Sequence, residues 1–222
     1  MMSIKMTLEE ILAAAPDKYG WRNVNGHKVK IGEKVKIGGG VWIGGGVRIG
    51  SVVIIGAGAV IGDRAVIGDR AAIGAGVVIG AGAWIGGGAV IGGGVRIGDW
   101  SVIGDWARIG DGAVIGAGAV IGAGVEIGAG VEIGDRVTIP VYCSAPYSIY
   151  WYSIGEIKSG CIVKSIDWWR ENVERCAEEN GYNELQQQEY KLYVAQIAAW
   201  ELMMIAHGKI GMVNKPGACT DE

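Results

Sequence analysis

The sequence predicts a mainly β protein built around a single-stranded parallel β-helix, and two observations support that prediction. Isoleucine recurs at every sixth residue from Ile31 to Ile139, nineteen times without interruption. Glycine follows each of these isoleucines until Pro140, and valine, alanine or, once, Ser101 stands two residues before each. Self-similarity at a short fixed period is typical of solenoids, and a period of six residues indicates a parallel β-helix.

The repeat also predicts the geometry of the helix. Each unit of six residues supplies one short strand and one corner, so three units close a triangular coil of 18 residues and residues 25–140 form about six coils. With strands ~4.8 Å apart, the stack is about 30 Å tall. The isoleucine and the small residue two places before it point inward, because side chains alternate across a strand. The glycines suit tight corners, where φ is positive or the backbone is crowded.

The residue just before each isoleucine should point outward, and these residues fall into three columns at 18-residue intervals. We call them the first, second and third faces. The first face is Lys30, Arg48, Val66, Trp84, Val102, Val120 and Thr138; the second is Lys36, Ile54, Ala72, Val90, Arg108 and Glu126; the third is Trp42, Val60, Val78, Arg96, Val114 and Glu132.

The first and third faces are apolar through their middles, which predicts an interface between copies of the chain, because monomers rarely expose large apolar patches. The alternative is that the C-terminal segment folds back over one face. The predicted interface residues are Val66, Trp84, Val102 and Val120 of the first face and Trp42, Val60, Val78 and Val114 of the third.

Residues 1–24 are predicted to cap the open end of the solenoid. A short helix over residues 7–15 is indicated by the capping-box pair Thr7 and Glu10. Asn25-Gly26 then stands between two extended runs, which is typical of a hairpin turn. It could equally be the first corner of the solenoid, because Asn25 lies in the isoleucine register.

After Pro140 the repeat ends, and residues 141–208 are predicted to form a separate module. Residues 147–154 and 157–164 have the composition of two strands. Ser165 and Asn183 are placed as N-caps of two following helices. Residues 209–222 are predicted to be a loose tail.

Composition narrows the possible partners and compartments. The net charge of −3 gives no reason to expect a nucleic-acid partner. No stretch has the length and apolar character of a membrane span or the apolar core of a signal peptide, so a cytoplasmic or virion-associated protein is expected. The four cysteines have no metal-binding or paired spacing and predict free thiols in a reducing compartment; they are Cys143, Cys161, Cys176 and Cys219.

The unit I-G-x-x-[VA]-x resembles that of the hexapeptide-repeat superfamily of left-handed β-helices, over about half of the chain. The resemblance implies the left hand and a parallel homotrimer. Superfamily acyltransferases use a histidine as general base, with acyl-CoA or acyl-carrier protein in a groove between subunits. The γ-class carbonic anhydrases share the fold and bind zinc with three histidines from two subunits. The ends of the chain resemble those of uncharacterised hexapeptide-repeat proteins from bacteria and phages.

The residues that carry this chemistry are scarce in the chain. Its two histidines, His27 and His207, both lie outside the regular coils and are weak catalytic candidates. They cannot reproduce a three-histidine zinc set. Asp63, Asp99 and Asp135 share one corner, but neighbours are two coils, about 9.6 Å, apart, too far to ligate one calcium ion. No cofactor or metal is predicted, and the aspartates are expected to bond nearby backbone.

The sequence therefore favours a non-enzymatic structural or assembly protein, a rigid homotrimer with a possible protein partner at its C-terminal module, such as a phage-particle or bacterial scaffold component. One alternative is an acyltransferase acting on a small molecule or sugar with acyl-CoA, with His27 or His207 brought to a subunit boundary. Another is an engineered or consensus-like β-helix, which the uniformity of the repeat allows.

Overall fold

The computed structural model describes residues 4–5, 8–139, 141–144 and 147–212, and it contains the predicted parallel β-solenoid of about six coils. The chain opens with strand β1 (Ile4–Lys5), helix α1 (Leu8–Ala13) and strands β2 (Trp21–Val24) and β3 (His27–Ile31). The strands of the coils, β4 to β20 in chain order, are Lys36–Ile37, Trp42–Ile43, Arg48–Ile49, Ile54–Ile55, Val60–Ile61, Val66–Ile67, Ala72–Ile73, Val78–Ile79, Trp84–Ile85, Val90–Ile91, Arg96–Ile97, Val102–Ile103, Arg108–Ile109, Val114–Ile115, Val120–Ile121, Glu126–Ile127 and Val131–Ile133.

These strands form three parallel sheets that coincide with the three predicted faces. On the first face, Trp84 pairs with Val66 on one side and with Val102 on the other, each 18 residues away. The second and third faces keep the same register, and β1 pairs antiparallel with β5 at the open edge of the third.

The core of the solenoid is the column of isoleucines. The seventeen from Ile43 to Ile139 are at most 3% exposed, whereas Ile31 and Ile37 in the first coil are partly buried. Ser101 is completely buried in the same column of small residues. Its hydroxyl lies 2.8 Å from both the Gly98 and Gly116 carbonyl oxygens, so a polar group is accommodated without being left unpaired.

Glycine is favoured at two positions of each corner, for a different reason at each. The third residue after each isoleucine has positive φ, and glycine occupies eleven of the eighteen such positions from residue 34 to 136. The glycine directly after the isoleucine lies against the next coil: a β-carbon on Gly104 would be 2.4 Å from the backbone nitrogen of Ala123. Crowding between coils, rather than positive φ, therefore fixes this second glycine.

The corner aspartates bond the backbone of the preceding coil, not the nearby backbone that the sequence predicted. The Oδ1 atoms of Asp63 and Asp99, for example, accept hydrogen bonds from the backbone N–H groups of Gly45 and Ala81 at 2.7 Å, a separation of 18 residues. Stacking of equivalent corners brings these groups together. Each such bond ties two coils at their corner.

The N-terminal segment covers the first coil. Helix α1 is shorter than the predicted 7–15, and Thr7 lies outside the described residues. Ile11 of the helix is completely buried. Strands β2 and β3 form an antiparallel hairpin in which Asn25 and Gly26 have φ of 50° and 83°, as the Asn-Gly pair predicts. Strand β3 also pairs in parallel with β6, so it belongs to the first coil as well.

The C-terminal segment forms an antiparallel sheet of four strands: β21 (Val141–Ser144), β22 (Tyr147–Ser153), β23 (Glu156–Ser159) and β24 (Ile162–Ser165). The prediction of one strand over 157–164 is wrong, because Gly160, with φ of 55°, turns the chain between β23 and β24. The two-residue turn Gly160-Cys161 joins residues of strand-like composition on both sides, so a single strand was predicted.

Two helices pack on this sheet, α2 (Ile166–Glu179) and α3 (Glu184–Ala206), and both begin at the predicted caps. The Ser165 hydroxyl accepts from the Trp168 N–H at 3.1 Å, and Asn183 and Gln186 form a capping box. Strand β25 (Ile210–Met212) pairs antiparallel with β20, so this part of the predicted loose tail is ordered against the last coil. Residues 213–222 of that tail lie outside the described residues.

Polar contacts hold the C-terminal module against the solenoid and connect its helices to its sheet. Lys158 forms an ion pair with Glu126 of the second face. Nearby Tyr150 is buried, and this burial raises its pKa to about 12, although a hydrogen bond with the Glu126 backbone acts in the opposite direction. On α3, the buried Glu201 carboxylate accepts from the Trp151 indole N–H at 2.6 Å and from the Gly155 N–H at 2.8 Å. None of the described helices has the length and apolar character needed to cross a membrane.

Candidate functional site

A shallow groove of about 480 Å³ runs along the corner that separates the third face from the first. We call it the corner groove. It is lined by Gly26, His27, Lys28, Gly45, Gly46, Asp63, Arg64, Ala81 and Trp100. Because equivalent corners stack at 18-residue intervals, residues from five successive levels of the solenoid meet there.

Two adjacent glycines form the floor of the corner groove and leave space for larger neighbours. A β-carbon on Gly45 would lie 2.9 Å from Nδ1 of His27, and one on Gly46 would lie 3.2 Å from Cγ of Arg64. His27 is half-buried, and its imidazole lies over Gly45. The absence of side chains at these two positions therefore allows a histidine from below and an arginine from above to approach the same floor.

Trp100 forms the far end of the groove. It has positive φ, and a β-carbon on Gly82, one coil earlier, would lie 2.5 Å from Cε3 of the Trp100 indole. The ring therefore lies flat against the glycine corner. It is 65% exposed, so an aromatic surface faces solvent. From the level of His27 to that of Trp100 is about 19 Å, four times the strand spacing of ~4.8 Å.

The groove is electropositive. Within the described part of the chain, neither Lys28 nor Arg64 forms an ion pair. The Asp63 carboxylate already accepts the Gly45 N–H at 2.7 Å, and the Gly46 N–H donates to the Lys28 carbonyl at 2.7 Å. The floor thus has no free backbone donor, and the two cationic side chains are the groups able to bind an anion.

The structure separates the two histidines that the sequence offered. His27 lies in the first coil, whereas His207 is exposed just after α3, beside the strand that pairs with the last coil. About six coil spacings of ~4.8 Å lie between these two levels. The His27 imidazole forms no hydrogen bond to the residues that the structure describes. No group of three metal-ligating side chains occurs in the same residues.

The sequence analysis did not identify the residues that line the groove together with His27. The signal was present: Gly45 stands 18 residues after His27, and Arg64 and Trp100 occupy the corner position of positive φ, 36 residues apart. Of the predicted interface residues, Trp42, Val78, Trp84 and Val120 are exposed, and Val60, Val66, Val102 and Val114 are half-buried. Their contact with another copy stays a prediction.

The repeat matches a known protein family. Residues 46–81, 76–111 and 107–140 match the model of the bacterial transferase hexapeptide (six repeats). The coil geometry and this match identify residues 46–140 as a hexapeptide-repeat β-helix. No curated protein matches it.

Several solved structures are similar to the solenoid. The acetyltransferase domain of PglB from Neisseria gonorrhoeae, in complex with acetyl coenzyme A, is 28% identical over 50% of this chain and 53% of that chain, with a TM-score of 0.48. PerB from Caulobacter crescentus, in complex with CoA and GDP-perosamine, is 27% identical over 55% and 54%, with a TM-score of 0.42. A hexapeptide transferase family protein from Anaplasma phagocytophilum is 17% identical over 81% and 94%, with a TM-score of 0.29.

The family match corrects the function favoured by the sequence. The prediction of a non-enzymatic structural or assembly protein is wrong, because the repeat matches the model of a bacterial transferase. A phage or scaffold role has no support. The chain spans about half the length of the acetyltransferases it matches, 53% for PglB and 54% for PerB.

Proposed function

We propose that this protein is an acyltransferase that moves an acyl group from acyl-CoA to an amine or hydroxyl of a small molecule or sugar, in the corner groove. The main support is the arrangement of His27 over the floor that it shares with Arg64. A base, two free cationic groups and an aromatic surface lie along one groove of about 480 Å³. The family match gives independent support for transferase chemistry.

The groove suits the nucleotide end of CoA. Arg64 can bind a phosphate through two parallel N–H donors. The exposed indole of Trp100 offers a flat surface for the adenine ring, and stacking of a base on an aromatic side chain contributes about 1–3 kcal/mol. With the adenine at Trp100, the thioester end of the ligand would extend down the groove toward His27.

His27 would act as the general base. Its imidazole accepts the proton of the acceptor amine or hydroxyl as that atom attacks the thioester carbonyl. The new C–N or C–O bond gives a tetrahedral oxyanion, and the Lys28 ammonium is the nearby group able to stabilise its charge. Collapse breaks the C–S bond, and the leaving thiolate takes the proton from the imidazolium. The acyl group is then on the acceptor and CoA is free.

Binding of CoA tests the proposed nucleotide site. We expect Arg64→Ala to weaken CoA binding about tenfold or more by isothermal titration calorimetry, since a charge-assisted hydrogen bond contributes about 1.5–3 kcal/mol. Arg136→Ala is the matched control, because Arg136 occupies the same corner column and lies 3.5 Å from the β-carbon position of Gly118. Equal CoA affinity of the Arg64 and Arg136 variants would count against the site.

We also propose that the enzyme is a homotrimer, with the corner groove at a subunit boundary. Support comes from the position of the groove between the third and first faces, where Trp42 and Trp84 are 42% and 57% exposed. Burial of these faces between copies would remove a large apolar surface from water. Aromatic side chains of this kind are enriched at the centres of interfaces.

Self-association is measured by light scattering at micromolar concentration. We expect the mass of three chains for the wild type, and a mass near one chain when Val66 and Val102 are both changed to Asp. Val90→Asp on the second face is the control and should leave the trimer intact, because that face is not part of the proposed contact. A monomeric wild type would refute the trimer and leave the CoA measurement unaffected.

A further inference from the structure

A cavity of about 290 Å³ lies inside the C-terminal module, and it shares no residue with the corner groove. Its walls come from the turn between β23 and β24, from one side of α2, and from the segment that joins α2 to the start of α3. It opens to solvent on one side, where Gly160, Cys161 and Asn180 of its lining are exposed. The cavity has the volume of a site for a small molecule.

The aromatic walls are fixed in place without a ligand. Trp169 is 2% exposed, and its indole N–H donates to the Ile157 carbonyl at 3.0 Å. The rings of Tyr182 and Tyr190 lie with centroids 4.9 Å apart, and their hydroxyl oxygens are 3.3 Å apart. Walls held in this way form a largely preformed site, which is typical of small-molecule pockets.

One side of the cavity is apolar and chemically inert. Val173 and Ala177 lie one turn apart on α2, and each is 3% exposed. Cys176 lies beside them, and burial raises the pKa of its thiol, so the neutral thiol is favoured over a reactive thiolate. The cavity thus favours an uncharged apolar ring over an anion or an electrophile.

A single polar group distinguishes the opposite side. Ser159 lines the cavity and is 8% exposed, yet its hydroxyl has no hydrogen-bond partner within the described part of the chain. The hydroxyl is still reached by solvent, because none of the fully buried side-chain N and O atoms among the described residues lacks a partner. Water therefore pairs with the hydroxyl until a ligand group replaces it. A ligand that carries one N–H or O–H group would satisfy Ser159 while its ring fills the apolar space.

We propose that this cavity binds a bicyclic aromatic molecule with one N–H or O–H group. An engineered apolar cavity of about 150 Å³ in another protein binds benzene, and the present cavity has about twice that volume. Two fused rings therefore match its size better than one. The aromatic walls would contact the ring edges and faces, and Ser159 would accept or donate the one hydrogen bond.

Titration of the full chain with indole tests this site, with indene as a ligand of the same shape that lacks the N–H. We expect indole to bind about tenfold more tightly than indene by calorimetry or ligand-observed NMR. Ser159→Ala should reduce that ratio to about one. Equal binding of the two ligands by the wild type, or no binding of indole at millimolar concentration, would overturn the proposal.

A cavity-filling variant locates the site. Val173→Phe should weaken indole binding at least tenfold while thermal unfolding occurs at the same temperature or higher, because the new ring fills the void. Ala177→Phe serves the same purpose if Val173→Phe does not fold. Leu192→Phe is the control, since Leu192 is 54% exposed on α3, outside the cavity. Indole binding that persists unchanged in a folded filled variant would contradict this location.

Discussion

Replacing His27 by alanine should lower the rate of acyl transfer by a factor of about 100 to 10,000 at saturating acetyl-CoA, the usual contribution of a positioned general base. The affinity of the His27 variant for CoA should change little, because Arg64, rather than the imidazole, would hold the phosphates. The rate is measured from the appearance of free thiol with a panel of amino sugars and small amines as acceptors.

His207→Ala is the control for this measurement, because His207 is exposed at the other end of the solenoid. It should transfer acyl groups at the wild-type rate. A rate that survives in the His27 variant but falls in the His207 variant would move the catalytic site to the C-terminal module. Equal rates in all three proteins would remove both histidines from the chemistry.

Changing Gly104 to alanine should destabilise the solenoid by about 3 kcal/mol or more, at the upper end of overpacking effects. The new β-carbon would be 2.4 Å from the backbone nitrogen of Ala123 and 2.7 Å from its Cα. Neither chain can move away easily, since the Gly104 N–H donates to the Ile121 carbonyl at 2.9 Å and similar bonds hold every coil. The loss is read from the midpoint of guanidinium-induced unfolding.

Gly112→Ala provides a matched comparison in a neighbouring corner. Gly112 has φ of 67°, and a β-carbon there would meet no atom within 4 Å. Its substitution should cost about 1–2 kcal/mol, which is the penalty for a left-handed conformation in an L-residue. If the two variants lost the same stability, crowding between coils would not be the reason for glycine after each isoleucine.

The solenoid could be predicted from the sequence because one physical rule repeats in it. An apolar residue every sixth position must face the same interior, and the outward columns and their 18-residue register follow from strand alternation. The turn at Gly160 was missed because residues 157–164 were assigned to one strand, although glycine at the first position of a two-residue loop is a hairpin signal. The strand Ile210–Met212 was also missed, because three residues are too few to show an alternating pattern.

The corner groove was harder to predict than the fold. His27 appeared to be isolated, because no other histidine lies near it in the sequence. Its setting depends on Gly45, Arg64 and Trp100, which meet only when corners 18 residues apart are stacked. The weight placed on missing coil histidines led to the wrong preference for a structural protein. The repeat does not specify where corner side chains point, and these directions determine which residues line the groove.

A crystal structure of the protein with CoA would test the central proposal most directly. We expect density for CoA in the corner groove, with the adenine on Trp100, phosphate oxygens within hydrogen-bond distance of Arg64, and the thiol directed toward His27. CoA bound away from this corner, with His27 and Arg64 making no contact to it, would contradict the assignment of the acyl-CoA site.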